Sequence, residues 1–455
     1  GSDFPMQESP NIVQANALRI RWDKVLPAEE CSFIMGNPPF IGSSLRSCEQ
    51  TEDMDAIAFA GQKTWGKVDY CGAWYYMAAK YMKNYPIQAA FVSTNSLCQG
   101  EQVLPMWKAF FDMGYHIDFA WKTFIWNSEA SNLAHVHCVI CGFSKQKKRK
   151  VLFFEETNQQ VKNINGYLVD APNVFLPSRG KPIDSKHKPM VQGCKPVDGG
   201  GFILNEKEKN EFLRFSPELS DLIRPFLGSE EFISAKRRFC FWLRDIKPSR
   251  YANNPIIQER LNYIRKQRER SPTKEFREYA DKPFLFVQDR QPDDDYLVVP
   301  QVSSERRTYI PIGYLPFSTI VSNAVYVIPR ASLYDFGLTT SQMHNAWMRL
   351  IAGRLESRYR YSPVVYNTFA YPNPTPEQRE TIETLAQAVL DARANYPDKS
   401  LADLYDPDKT PPDLLAAHKA LDKAVEAAYG VDFDGDEEKI VAHLFKLYAE
   451  KIAEK

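Results

Sequence analysis

The chain has 455 residues with 44% apolar and 25% charged content, which excludes wholesale disorder and is too long for one ordinary core. Lys plus Arg and Asp plus Glu both total 57, so the formal net charge is zero. The balance is uneven along the chain: residues 236–307 carry 17 Lys/Arg against 11 Asp/Glu, and residues 371–455 carry 10 against 18.

In chain order, Gly1-Ser2 reads as a cloning remnant, and the chain after it is expected to open inside a fold. An apolar strand over 31–35 ends at Gly36. The spacing of Trp74, Ala78 and Met82 predicts a helix over 70–85. A buried strand over 89–93, a helix over 107–113 and extended runs over 116–121 and 136–143 come next. This βαβαββ order predicts a parallel α/β sheet that ends in an antiparallel hairpin, over residues 3–165. The run KQKKRK at 145–150 reads as a basic hairpin tip able to touch phosphate, or as a solvated loop.

Residues 166–370 are mixed and Pro-rich, with strands expected at 284–287 and 296–299. One helix stands out: Asn254 caps it, Pro255 suits its first turn, and Ile257, Leu261 and Ile264 line one face. Arg260, Arg265, Lys266, Arg268 and Arg270 cover much of the rest. A basic segment of this kind suits an anionic polymer, and is equally the composition of a solvated face. Beyond the Pro-rich stretch 371–376 the chain turns helical over 371–455. Ile382, Leu385, Ala386 and Val389 form one stripe. Leu414, Leu415, His418, Leu421 and Val425 form another, closed by Gly430, with His418 read as a packed core histidine.

Other site types find little support. Cys138 and Cys141 sit three apart in a strand, on opposite faces, and His135 and His137 lack a second ligand pair, so no metal is expected. The cysteine spacing suggests no disulfide framework, and a reduced, cytoplasmic compartment follows. No apolar run approaches the roughly 18–20 residues of a membrane span, so no membrane partner is expected.

The chemistry gathers at Gly36-Asn37-Pro38-Pro39-Phe40, directly after the first strand. Consecutive prolines fix the backbone and offer no N–H. The Asn37 side-chain oxygen and the Pro38 carbonyl can then accept both hydrogens of a planar exocyclic amine. That draws the nitrogen lone pair out of conjugation and aims it at an electrophilic methyl. Phe40 supplies a flat face for the base, which must leave the duplex to be reached. A plain Pro-Pro turn is the bland alternative.

On this motif the chain resembles class I S-adenosylmethionine-dependent amino-methyltransferases. It is more closely similar to MmeI-like (Type IIL) restriction–modification proteins. The carriers are NIVQANALRIRW (11–22), IMGNPPFIG (34–42), FVSTNSLCQGEQV (91–103), VSSERRTYIPIGYL (302–315), GRLESRYRYS (353–362), VVYNTFAYPNP (364–374) and the helical end from 401 to 430. The resemblance implies three parts: a partial methyltransferase α/β sheet, a mixed α+β target-recognition domain and a helical C-terminal region. In that family these follow a nuclease and a helical spacer, neither of which is found in this sequence, nor is the Gly-rich first loop of the methyltransferase.

The resemblance also implies roles. Asn37, Pro38, Pro39 and Phe40 would be catalytic, acting on a flipped adenine with S-adenosyl-L-methionine as methyl donor. Asn16 matches the position that contacts the cofactor's adenine, often an acid in the family. Phe124 best matches the aromatic that sandwiches the base, with Trp126 as the alternative. Double-stranded DNA would be met by Arg265, Lys266, Arg268, Arg306 and Arg307. Glu356 and Arg358, two apart in an extended run, share a face and would read a C·G pair, or else form a local surface ion pair. The expectation is therefore a site-specific DNA adenine-N6 methyltransferase of a restriction–modification protein. Its rivals are an amino-methyltransferase acting on RNA or protein glutamine, and a DNA-specificity module without catalysis.

Overall fold

The computed structural model describes residues 10–57, 65–126, 136–355 and 358–454. Two compact units emerge, one of residues 1–177 with 445–455 and one of residues 178–444. Among the described residues no helix is long and apolar enough to cross a membrane.

The first unit is built on a six-stranded sheet. Its strands are β1 (Phe33–Gly36), β2 (Gln88–Thr94), β3 (His116–Trp126), β4 (Val136–Ser144), β5 (Lys150–Phe153) and β6 (Asn158–Val161), in the order β1-β2-β4-β3-β5-β6. β1 and β2 pair in parallel, as the sequence pattern predicts, and β3 and β4 form an antiparallel hairpin. The sheet is nonetheless mixed. β4 inserts between β2 and β3 and runs antiparallel to both. The connection 145–149 therefore crosses over β3 to reach β5, which pairs with β3 in parallel, and is not a hairpin tip.

Helix α1 (Cys48–Ile57) precedes α2 (Gly72–Met82) and α3 (Val103–Asp112). α2 starts later than its apolar spacing suggests because Asp69 and Tyr70 are drawn to the preceding loop. The Tyr70 N–H donates to Ile41 O at 2.9 Å, and Asp69 Oδ1 accepts from Ser43 N at 3.1 Å. α3 starts earlier because Pro105 sits in its first turn, where no N–H is needed. Between helices and sheet lies an aromatic core in which Tyr75 stacks on Phe143 at 5.3 Å and meets Trp107 edge-on at 5.6 Å. Cys138 and Cys141 are buried in β4, and His135 lies outside the described residues.

Among the described residues the second unit carries three small sheets and α4 (Pro255–Glu269), capped by Asn254 Oδ1 accepting from Ile257 N at 3.1 Å. Ile257, Leu261 and Ile264 are buried. The run 296–299 lies within the strand Tyr296–Pro300. Residues 284–287 are not a strand; they form a turn with Phe286 and Val287 buried. The Lys282 and Leu285 carbonyls are committed to the Arg268 guanidinium and not to a ladder.

In the helical part, α5 (Pro376–Ala394) and α6 (Pro412–Ala428) bury Ile382, Ala386 and Val389 against Leu414, Leu421 and Val425. Both pack on the helix Leu333–Thr340, where Gly337 allows close approach: a Cβ there would stand 2.8 Å from Ile382. His418 is a core residue, hydrogen-bonded to Tyr405 Oη at 2.8 Å and stacked on Tyr309 at 4.1 Å.

Candidate functional site

β1 ends where the Asn-Pro-Pro motif begins, so the strand aims that motif at the carboxyl edge of the sheet. Gly36 pairs with Phe91 across the β1–β2 ladder, and a Cβ on Gly36 would stand 3.0 Å from the Phe91 ring. The glycine thus lets the motif leave the sheet directly over an aromatic face. Asn37 is exposed, Pro38 buried, Pro39 exposed and Phe40 half-buried.

A cleft of about 590 Å³ opens here, lined by Asn16, Trp22, Met35, Asn37, Pro38, Pro39, Tyr70, Trp74 and Phe91 among others. Residues far apart in sequence meet in it. Trp74 is half-buried in the cleft wall, although its spacing with Ala78 and Met82 reads as helix core. Tyr70 meets Trp74 edge-on at 5.2 Å. Phe40 and Phe124 are not in the lining. Phe124 is half-buried on β3, opposite Cys138, and β3 runs in the same sense as β1 three places along the sheet. The Trp126 side chain lies outside the described residues.

Two buried carboxylates flank the cleft, and neither stands out in sequence. Asp53 accepts from Asn16 Nδ2 at 3.1 Å, Arg19 Nε at 2.6 Å and Tyr70 Oη at 2.7 Å. Burial works to raise its pKa, but these donors outweigh that and hold the carboxyl below the usual range. Burial first, then the hydrogen bond to Asp53 and its charge, push the Tyr70 phenol up to about 12. Asp69 takes Ser43 N, Gln102 Nε2 at 3.0 Å and Thr94 Oγ1 at 2.8 Å, tying the loop after the motif to the end of β2.

The second unit holds the basic candidates. Arg265 and Lys266 are exposed on α4. Arg268 is not available to a duplex. It is fully buried, and its guanidinium donates to the carbonyls of Val197, Tyr279, Lys282, Pro196 and Leu285 at 2.7–3.1 Å. Arg306 is exposed and paired with Asp408, whereas Arg307 is half-buried and donates to Ser303 Oγ at 3.4 Å. A small sheet joins β7 (Val302–Ser303), β8 (Gly353–Leu355) and β9 (Arg358–Arg360). Arg358 is exposed on β9, and Glu356 lies outside the described residues. Hollows of about 380 and 210 Å³ border Arg244, whose guanidinium is already engaged by Asp245, Asp289 and Asp293.

Comparison with known proteins matches this geometry to a family. Residues 1–154 match the DNA-methyltransferase domain of MmeI, residues 170–373 its target recognition domain and residues 374–454 its C-terminal domain. The chain belongs to the MmeI family. The Type IIL restriction-modification enzyme MmeI, solved in complex with DNA, superposes with a TM-score of 0.84 at 42% identity, over 99% of this chain and 61% of that one. DNA methyltransferase A of Bacillus subtilis (strain 168) is 40% identical over 453 residues, 98% of this chain. The chain spans about half the length of that relative, 51%. In MmeI terms the cleft falls in the methyltransferase span, and Arg265, Lys266, Arg306 and Arg358 fall in the target-recognition span.

Proposed function

We propose that this chain carries the catalytic cleft and the sequence-reading part of a DNA methyltransferase that acts on the N6 amine of adenine. It would serve a restriction–modification protein and use S-adenosyl-L-methionine. The observation that carries this reading is that the Asn-Pro-Pro motif and Asn16 share one cleft, with Tyr70, Trp74 and Phe91 from later elements, at the carboxyl edge of the sheet. Ligands in open α/β sheets bind at that edge.

The cleft residues fit such a cofactor. Tyr70, Trp74 and Phe91 offer aromatic faces for an adenine, and Asn16, backed by Asp53, offers hydrogen-bonding groups for its edge. When bound, the cofactor supplies an electrophilic methyl on a sulfonium. The chain's residues do the rest. Asn37 Oδ1 and the Pro38 carbonyl accept the two amine hydrogens, leaving the lone pair directed at the methyl. The Pro-Pro backbone holds both acceptors rigid, so little reorganisation is needed at the moment of reaction. Phe40 packs one face of the extruded base, and Phe124 or Trp126 the other. One amine proton departs to solvent after the methyl arrives, so no side chain need act as base.

Recognition of DNA follows from the second unit. Arg265 and Lys266 supply charge for phosphates, and Arg306 and Arg307 lie in the same target-recognition span. Arg358 would grip the two acceptors of a guanine, with Glu356 accepting from the amine of its cytosine. Support comes from the relatives, whose descriptions name DNA methyltransferase activity and a DNA complex.

The test is nucleoside analysis. Full-length protein is incubated with duplex DNA and methyl-labelled cofactor, the DNA is digested and the labelled nucleoside identified by mass spectrometry. N6-methyldeoxyadenosine is expected. Label on cytosine, on RNA or on a glutamine-bearing peptide contradicts the reading.

A further inference from the structure

At its polar end the cleft keeps its negative charge one layer back. Asp53 on α1 is 6% exposed and is not in the cleft lining, whereas two of its donors, Asn16 and Tyr70, are. Its third donor, Arg19, forms an ion pair with it at 2.6 Å, so the cluster is electrically balanced.

An asparagine amide can present either its oxygen or its NH₂ to a ligand, and nothing intrinsic chooses between them. Here the surroundings choose. An ionised carboxylate can only accept, so Asp53 takes Nδ2 of Asn16 at 3.1 Å. The Leu18 N–H can only donate, so it takes Oδ1 at 3.0 Å. Both contacts fix the same flip of the amide. Oδ1 keeps a second lone pair and Nδ2 a second hydrogen for a ligand.

We propose that Asp53 is a positioning residue for the adenine of the cofactor: it locks the Asn16 amide so that Oδ1 remains an acceptor for an exocyclic amine, and it anchors Tyr70 in the cleft wall. This rests on reading the cleft as the cofactor site. An acid in place of Asn16 would accept from the same amine directly. Acids at both positions would set two carboxylates about 3 Å apart, where their repulsion raises the pKa of one and weakens the site while both are ionised. The site therefore suits a single carboxylate, in front or behind, and the two placements should substitute for each other.

The test is a swap, read by calorimetric affinity of this chain for S-adenosylhomocysteine with thermal unfolding in parallel. N16D and D53N should each weaken binding about tenfold, the worth of one ordinary hydrogen bond. The double variant N16D/D53N should return to within about threefold of the parent chain, since it only exchanges the two groups. A merely structural role for Asp53 predicts otherwise: D53N and the double variant would unfold at equally lowered temperatures and bind equally poorly. Additive losses, or unchanged binding by D53N, overturn the proposal. Should D53N not fold, N16D alone still decides, because lowering the pH from 8 to 5 protonates one carboxyl of the pair and should restore its affinity; a pH-independent loss overturns the proposal. Failure of the unmodified chain to bind S-adenosylhomocysteine at all would sink the reading of the cleft itself, and this inference with it.

Discussion

A guanidinium removed from water must find a partner for its donors, and Arg268 does so with backbone carbonyls alone. Burial pulls its pKa down to about 10, which still leaves it charged at neutral pH. It staples α4 to the turns around 196–197 and 279–285. Replacing it by Met leaves five carbonyls without their donor. Arg268→Met should therefore cost about 3 kcal/mol or more in urea unfolding, since each buried acceptor left unsatisfied costs about 1–3 kcal/mol, while the salt dependence of DNA binding stays unchanged. Neutralising Arg265 and Lys266 should do the reverse, leaving stability alone and lowering affinity for all sequences alike. The salt slope should fall by about one unit for each phosphate no longer neutralised. A shallower slope in Arg268→Met, or an unchanged slope in the double neutralisation, would contradict the assignment. The spacing already held this answer. Arg268 continues the stripe of Ile257, Leu261 and Ile264 at helical intervals, and its charge, not its position, suggests the solvent face.

At the scale of elements, half-buried polar contacts tie α6 to its surroundings. Asp422 accepts from Tyr309 Oη at 2.6 Å and from the Gln342 N–H at 2.7 Å, both outside the helical segment. Burial pushes its carboxyl up to about 6 in spite of these donors. The folded chain then keeps a proton up to about pH 6 that the unfolded chain releases near pH 4, so stability falls as pH rises through that window. Burial depresses His344 and His418, which act oppositely, since only the unfolded chain protonates them as pH drops below about 6.5. Comparing Asp422→Asn with the parent chain isolates the carboxyl. The parent should lose about 2–3 kcal/mol relative to the variant between pH 4 and 7. A pH-independent difference would contradict the shift. Elements were legible in sequence wherever their signals are local. The Asn254 cap with Pro255 marks α4, and Gly430, with φ of 71°, closes the last turn beyond α6. Insertion of β4 between β2 and β3 is a choice among long-range pairings that no local pattern encodes. The run 284–287 has strand-like residues, but tertiary demand from Arg268 takes its carbonyls.

For the molecule as a whole, the zero net charge conceals a basic stretch within the second unit and an acidic helical end. Part of each is spent internally, as Arg306 with Asp408 illustrates. The family was legible from motifs spread along the chain, because VSSERRTYIPIGYL, GRLESRYRYS and VVYNTFAYPNP are more specific than the Asn-Pro-Pro-Phe motif that many amino-methyltransferases share. The rest of the cleft was not. Tyr70, Trp74, Phe91 and Asp53 come from separate elements, and their types alone read as ordinary core or surface. The central claim is that Asn37 acts on a base held in this cleft and not on the duplex backbone. Its most direct test is Asn37→Ala in the full-length protein, with methyl transfer and duplex affinity measured on the same sample. Methyl transfer should fall at least about 100-fold, the usual cost of removing one preorganised polar group from the reacting centre, with duplex affinity held within about twofold. Equal losses in both, or retained methyl transfer, would make Asn37 a structural residue and contradict the account.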